Sequence, residues 1–299
     1  MPSYDAFGLG WQVPFALPEK HAASSNKNSD VIVSYGSVPR SLIGATDAGP
    51  LLQITANAVL FSFPNVGRYL IQNGQTVVIH PDEGVAEDEI RQFVLGSVAA
   101  LVLHQRGILP LHASGICTNR GAVLFMGHSG FGKSTLLATF LARGYPMLTD
   151  DLAAIKISEA QPPLVYPGYP QLKLWADSAE KLNQPTEGFY RLLPDFDKFS
   201  IPVNTPLQKD PLPLHAIYLL TPHQQPGTYL ETVANAGKFA AFFDHTTQKA
   251  ALRGMNRQAD HFRQIVAVAN RTHVVRVFRS ERPFLPDALA ELIEQDFLG

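Results

Sequence analysis

Residues Gly127-His128-Ser129-Gly130-Phe131-Gly132-Lys133-Ser134-Thr135 keep the spacing G-x-x-x-x-G-K-[ST]. Chemistry on a polyphosphate needs that spacing. Glycines let consecutive backbone N–H groups curl around phosphate oxygens, and a helix N-terminus adds partial positive charge. In such a loop Lys133 reaches the β- and γ-phosphates and the Ser134 hydroxyl ligates Mg²⁺. His128 occupies a variable position and is given no role of its own. Seventeen residues after the lysine come Asp150 and Asp151. Paired carboxylates beside a γ-phosphate divide the work: one binds or orients Mg²⁺, the other accepts a proton from a substrate hydroxyl. Alone, such a pair is a solvated turn or a helix cap; the loop upstream reverses that preference. His112, in Pro110-Leu-His-Ala-Ser114, either touches the γ-phosphate, holds an aspartate, or is a hydrogen-bonded core histidine. Spacing leaves those readings open.

Local sequence supplies the elements that must position these groups. AVLFM (122–126) is an apolar run bounded by glycines, the pattern of a strand covered on both faces. A helix is expected from Ser134 to Arg143, with Leu136, Leu137, Phe140 and Leu141 on one side and Gly144 ending it. PMLT (146–149) re-enters the sheet and stops at the aspartates, so a strand beside the phosphate-loop strand is expected to deliver them. Upstream, AVLFSF (58–63), RYLIQ (68–72) and QTVVIH (75–80) read as strands, with Asn73-Gly74 as a two-residue hairpin turn. A helix follows from about Glu87 to Gln105, and residues 22–28 read as a solvated loop. The proline-rich stretch from Gln161 to Pro213 excludes long helices and reads as ordered loops and short elements, with one short helix near Ala176–Leu182. Strands resume at 216–220, 228–233 and 273–278, and a last amphipathic helix starts after Pro286.

The chain has 299 residues, 45% hydrophobic and 17% charged, with a formal net charge of −2 and one cysteine, Cys117. That length suits one large domain or two smaller ones and excludes a disordered or collagen-like chain. A single thiol excludes an internal disulfide and a multi-thiolate zinc site. Near-neutral charge argues against a general nucleic-acid binder. The longest apolar stretch, Phe93 to Leu103, falls short of the ~20 residues that span a bilayer. No targeting signal is evident at the start. The expectation is a cytoplasmic protein with neither nucleic acid nor membrane as partner.

Taken together, Leu111-His-Ala-Ser114, the loop GHSGFGKST, the helix LLATFLARG and the terminal LTDD resemble the catalytic core of HPr kinase/phosphorylase, and more widely the phosphoenolpyruvate-carboxykinase-like nucleotide-binding fold. The resemblance covers about residues 108–155. It implies an α/β fold: a P-loop nucleotide-binding domain over 106–299 and a smaller β-rich N-terminal domain over 1–105 that ends in a helix. It also implies ATP or GTP as phosphoryl donor, Mg²⁺ as cofactor, and an active site of His112, Lys133, Ser134, Asp150 and Asp151. The family gives the first aspartate to activation of the acceptor serine and the second to the metal, beside Ser134. The stretch Tyr166 to Trp175 is similar to one in HPr-kinase-like proteins, some of which resemble the kinases that phosphorylate a C-terminal serine of lasso-peptide precursors. The Glu-Ile-Arg-Gly segment of bacterial HPr kinases is missing, and the Pro-Gly-Tyr-Pro-Gln-Leu-Lys stretch stands in its region, with Lys173 in place of the arginine. HPr itself, phosphorylase activity and hexamer formation are therefore not carried over.

Weaker signals remain. Arg253, Arg257, Arg263, Arg271, Arg276, Arg279 and Arg282 fall within thirty residues that hold only two acids, Asp260 and Glu281. They form either a solvated basic face or phosphate contacts, with Arg271 and Arg276 the better placed of them. Tyr166, Tyr169, Trp175 and Phe189 either pack or stack a ligand. Lys173 and Lys198 are candidate phosphate contacts. The expected activity is transfer of a γ-phosphoryl group to a serine of a peptide or small protein. A small-molecule kinase and a non-catalytic nucleotide sensor are the alternatives, and self-association into a homo-oligomer stays open.

Overall fold

The computed structural model describes all residues except 17–28, 176–189, 194–195, 203–207 and 282. The loop expected at 22–28, the short helix expected near Ala176–Leu182, Phe189 and Arg282 lie outside the described residues, as do the side chains of Trp175 and Lys198. The fold is mixed α/β with two mixed sheets, and the chain divides into two compact units. One comprises residues 1–110 and 247–263; the other comprises 111–246 and 264–299. The first unit thus takes in seventeen residues from the C-terminal third.

In the first unit, the described strands are β1 (Ser3–Ala6), β2 (Leu9–Gln12), β3 (Val31–Tyr35), β4 (Asp47–Ala48), β5 (Leu52–Ile54), β6 (Ala58–Phe63), β7 (Gly67–Gln72) and β8 (Thr76–Pro81). They form one sheet in the order β1-β2-β3-β8-β7-β6-β5-β4. Alternation sets the buried face: Tyr69, Ile71, Val77 and Ile79 are fully buried while their neighbours are half-buried or exposed. Gln72 pairs with Thr76, so the β7–β8 connection has three residues, not the two expected, although Asn73 and Gly74 both take the left-handed backbone foreseen. The expected helix is present as α1 (Glu87–Phe93) and α2 (Ala99–Gln105), joined by a π-helical stretch over Val94–Val98.

Past the short strand β9 (Leu109–Leu111), the second unit holds β10 (Ala113–Thr118), β11 (Gly121–Met126), α3 (Lys133–Ala142), β12 (Met147–Thr149), β13 (Ala153–Lys156) and β14 (Leu164–Tyr166). Then come β15 (Gln171–Trp175), β16 (Tyr190–Leu193), β17 (Phe196–Pro202), β18 (Leu212–His223), β19 (Tyr229–Thr232), α4 (Asn235–Asp244), α5 (Gln258–Arg271), β20 (His273–Ser280) and α6 (Pro286–Leu298). The first residues of α5 belong to the first unit. β11, β18 and β20 run parallel, and β10 and β12 extend that sheet on the far side of β11. Every residue of β11 is buried, as its unbroken apolar run requires.

One face of this sheet carries α3 and α6 over a core that includes Phe125, Leu137, Phe140, Tyr218, Ile293 and Phe297. Phe125 and Phe140 stack with ring centroids 5.2 Å apart. The short elements expected in the proline-rich segment include strands, among them a separate sheet in the order β15-β17-β16. One sequence expectation needs correction: β12 is not the direct neighbour of β11, because β10 lies between them and pairs antiparallel with both.

Candidate active site

Two antiparallel steps restore direction, so β12 points the same way as β11 and both end at one edge of the sheet. The phosphate loop leaves that edge at Gly127 and enters α3 through Gly132. Gly132 has φ 94°, and a Cβ there would meet the Phe284 ring at 3.1 Å, so only glycine fits. Lys133 is buried, and its Nζ donates to the carbonyls of Gly127 (2.8 Å) and His128 (3.0 Å). The amine thus rests on the loop that a polyphosphate would fill. Ser129, Gly130, Gly132, Lys133, Ser134 and Thr135 line one wall of a cleft of about 420 Å³, and His112, Asp151 and Lys173 line another. Phe131 packs edge-on against the exposed His128 ring at 5.3 Å.

The two aspartates face different ways because of a tight turn. Leu152 N–H donates to the Asp150 carbonyl (2.8 Å), and Asp151 between them has φ 69°. A three-residue hydrogen-bonded turn whose central residue has positive φ is rare and strained for a non-glycine residue. Asp150 points inward and is 8% exposed. Its Oδ1 accepts from Ser114 Oγ (2.6 Å) and Ser134 Oγ (3.0 Å), and its Oδ2 accepts from the Lys173 backbone N–H (2.8 Å). Asp151 points into the cleft, where Oδ2 pairs with Lys173 Nζ at 2.9 Å and Oδ1 lies 3.4 Å from His112 Nδ1. His112 Nδ1–H donates to the Asp151 carbonyl at 3.0 Å. The structure therefore brings His112, Lys133, Ser134, Asp150 and Asp151 to one place.

Sequence reasoning passed over Ser114, which enters because β10 runs between the two strands that matter, and it left Lys173 only a candidate. It also missed His245, in the segment that follows α4. The His245 carbonyl accepts the His112 N–H (2.7 Å), and its ring lies 5.1 Å from that of His128. Burial, then the neighbouring His128, His112 and Lys133, push its pKa down to about 4, so it is neutral near pH 7. Nothing local in the sequence marks that residue.

The arginines divide by structure. Arg271 donates to the carbonyls of Ser158, Glu159 and Gln161 and braces a loop. Arg257 and Arg263 pair with Asp260, and Arg253 lies 3.4 Å from Asp47. Arg276 stands over Phe278, 5.8 Å from its centroid. Among the described arginines of this set, Arg279 reaches the phosphate loop, donating from Nε to the Phe131 carbonyl at 3.1 Å. Tyr169 is buried and packs.

Among the described residues no three His, Cys, Asp or Glu side chains form a metal cage. Mg²⁺ keeps waters and takes one or two carboxylates plus substrate phosphates. The hydroxyl of Ser134 and the carboxylates of Asp150 and Asp151 are hard oxygen donors of the right kind. Among the described residues no helix is long and apolar enough to cross a membrane.

No protein-family profile and no curated protein matches the chain. Among solved structures, the HPr(Ser) kinase/phosphatase from Coxiella burnetii is similar over 63% of this chain and 96% of its own, at 13% identity and a TM-score of 0.31. At that level the likeness carries no conclusion about activity.

Proposed function

We propose that the protein is a Mg²⁺-dependent kinase of the HPr-kinase-like type that moves the γ-phosphoryl group of ATP or GTP to a serine hydroxyl. The acceptor is a peptide or small protein, with a lasso-type precursor peptide the leading candidate. One observation carries this reading: the Ser134 hydroxyl bonds Asp150 at 3.0 Å while Asp151 enters the same cleft. A phosphate loop that only bound nucleotide would have no use for a second, strained carboxylate there.

In this reading Lys133 leaves its loop carbonyls for the donor's phosphates and stabilises charge on the transferring group. Ser134 would hold the metal directly, with Asp150 accepting the Ser134 hydroxyl from outside the cleft and orienting it, and the metal would supply charge neutralisation at the phosphates. The resemblance gives the hydroxyl-activating role to Asp150, but three donors occupy that carboxylate and it does not line the cleft. Asp151 is the better base, because its side chain faces the space an acceptor would enter. Lys173 and His112 hold it in place. Mass spectrometry after incubation with Mg²⁺, labelled ATP or GTP and serine-containing peptides tests the reaction. Asp151→Asn should still bind nucleotide but transfer at least about a hundredfold more slowly; wild-type transfer by that variant would end its role as base.

A further inference from the structure

The peptide joining Phe131 to Gly132 is the last of the phosphate loop before α3. Its carbonyl accepts the Nε–H of Arg279 at 3.1 Å. A trans peptide is planar, with C=O and N–H pointing opposite ways. Holding the Phe131 carbonyl toward Arg279 therefore turns the Gly132 N–H the other way, and Gly132 lines the cleft. The guanidinium is itself fixed, since Nη1 donates to the Ser280 carbonyl (3.2 Å) and the group lies 4.4 Å from the centroid of Phe284. That ring is the one that closes on Gly132.

Arg279 is 7% exposed, and among the described residues no carboxylate lies within ion-pair distance of it. Burying a cation without a counter-anion is costly, and burial pushes its pKa down against a smaller opposing pull from Glu281. A cation kept at this cost beside a phosphate loop calls for an anion.

We propose that Arg279 is a positioning residue for the donor's phosphate chain: it aims the Gly132 N–H at a phosphate oxygen and supplies a buried positive charge that the bound polyphosphate balances. The inference rests on the nucleotide-donor reading but needs no acceptor and no transfer. Lysine cannot replace the residue, because a single ammonium lacks the spread of a guanidinium, whose Nε and Nη1 reach the Phe131 and Ser280 carbonyls while Cζ stands over Phe284.

Calorimetric titration of the full chain with ADP and with inorganic tripolyphosphate tests this, alongside NMR of the Gly132 amide. Arg279→Gln should weaken both probes about tenfold or more, Arg279→Lys should recover only part of that, and the Gly132 shift on adding tripolyphosphate should shrink in both. If Arg279→Gln does not fold, Phe284→Leu replaces it, with about threefold weakening expected. Binding by the folded variants within about twofold of wild type, with an unchanged Gly132 shift, overturns the proposal. So does a wild-type chain that binds neither probe. Binding in the expected order with no serine peptide phosphorylated would uphold Arg279's role and sink the kinase reading.

Discussion

Asp150 accepts hydrogen bonds from three separate elements: Ser114 on β10, Ser134 on α3 and the Lys173 backbone on β15. A buried carboxylate needs such donors, because an unsatisfied one would carry its full desolvation cost. The 2.6 Å bond from the fully buried Ser114 is the shortest of the three and comes from a side chain with no access to the cleft. Ser114 thus orients the carboxylate without meeting substrate. Ser114→Ala should slow transfer by about tenfold while nucleotide affinity stays within about threefold, and the Mg²⁺ concentration for half-maximal rate should rise. Mg²⁺ titrations of wild type and variant check this; an unchanged Mg²⁺ requirement would remove Ser114 from the site's machinery.

At the scale of elements, β15 is what turns a phosphate loop with two aspartates into a closed site. Its entry depends on Gly168, whose N–H donates to the Leu148 carbonyl at 2.8 Å beside β12. A Cβ at 168 would stand 2.2 Å from Thr149 Oγ1 and 2.9 Å from Thr149 Cβ, one residue before Asp150. Gly168→Ala should push β15 off β12, separating Lys173 from both carboxylates, at a cost of about 1–3 kcal/mol. Thermal unfolding and a transfer assay would read the two effects together, and a variant with wild-type stability and rate would refute the close approach. The sequence reads this region as proline-punctuated loops, and locally that is sound, because prolines forbid helices. What it could not express is the pairing of Lys173 with Ser200 and of Leu172 with Ile201, which joins residues nearly thirty apart. The helix over 87–105, the phosphate-loop strand and α3 were legible because each carries its own periodicity or a contiguous apolar run. Helices α4 and α5 were missed, although α5 places the buried His261, Ile265, Val268 and Ala269 at helical spacing.

At the scale of the molecule, the first unit takes in residues 247–263, and buried histidines mark where this segment joins it. His104 is 3% exposed and donates from Nε2 to the Thr247 carbonyl at 2.8 Å, with the His261 ring 6.2 Å away. Burial pushes the His104 pKa down from 6.5 to about 4, and His261 shifts the same way. Below pH 6.5 the unfolded chain gains a proton that folded His104 refuses, so stability is full above that pH and falls as pH drops toward 4. By pH 5 the loss should reach about 2 kcal/mol, and His104→Gln should flatten it. Urea unfolding of the full chain from pH 7.5 to pH 5 checks this, a flat wild-type profile being the contrary result.

The phosphate loop and the paired aspartates were legible in the sequence alone, because backbone glycines, a lysine and carboxylates at fixed spacing meet a chemical demand that hardly depends on surroundings, whereas spacing left His112 open. Tertiary structure alone decided which aspartate faces the cleft, that β10 would bring Ser114 onto Asp150, and which of the described arginines grips the loop. Those choices follow from strand order, register and a three-residue turn. They are relations between distant segments, and no window along the chain contains both ends of them.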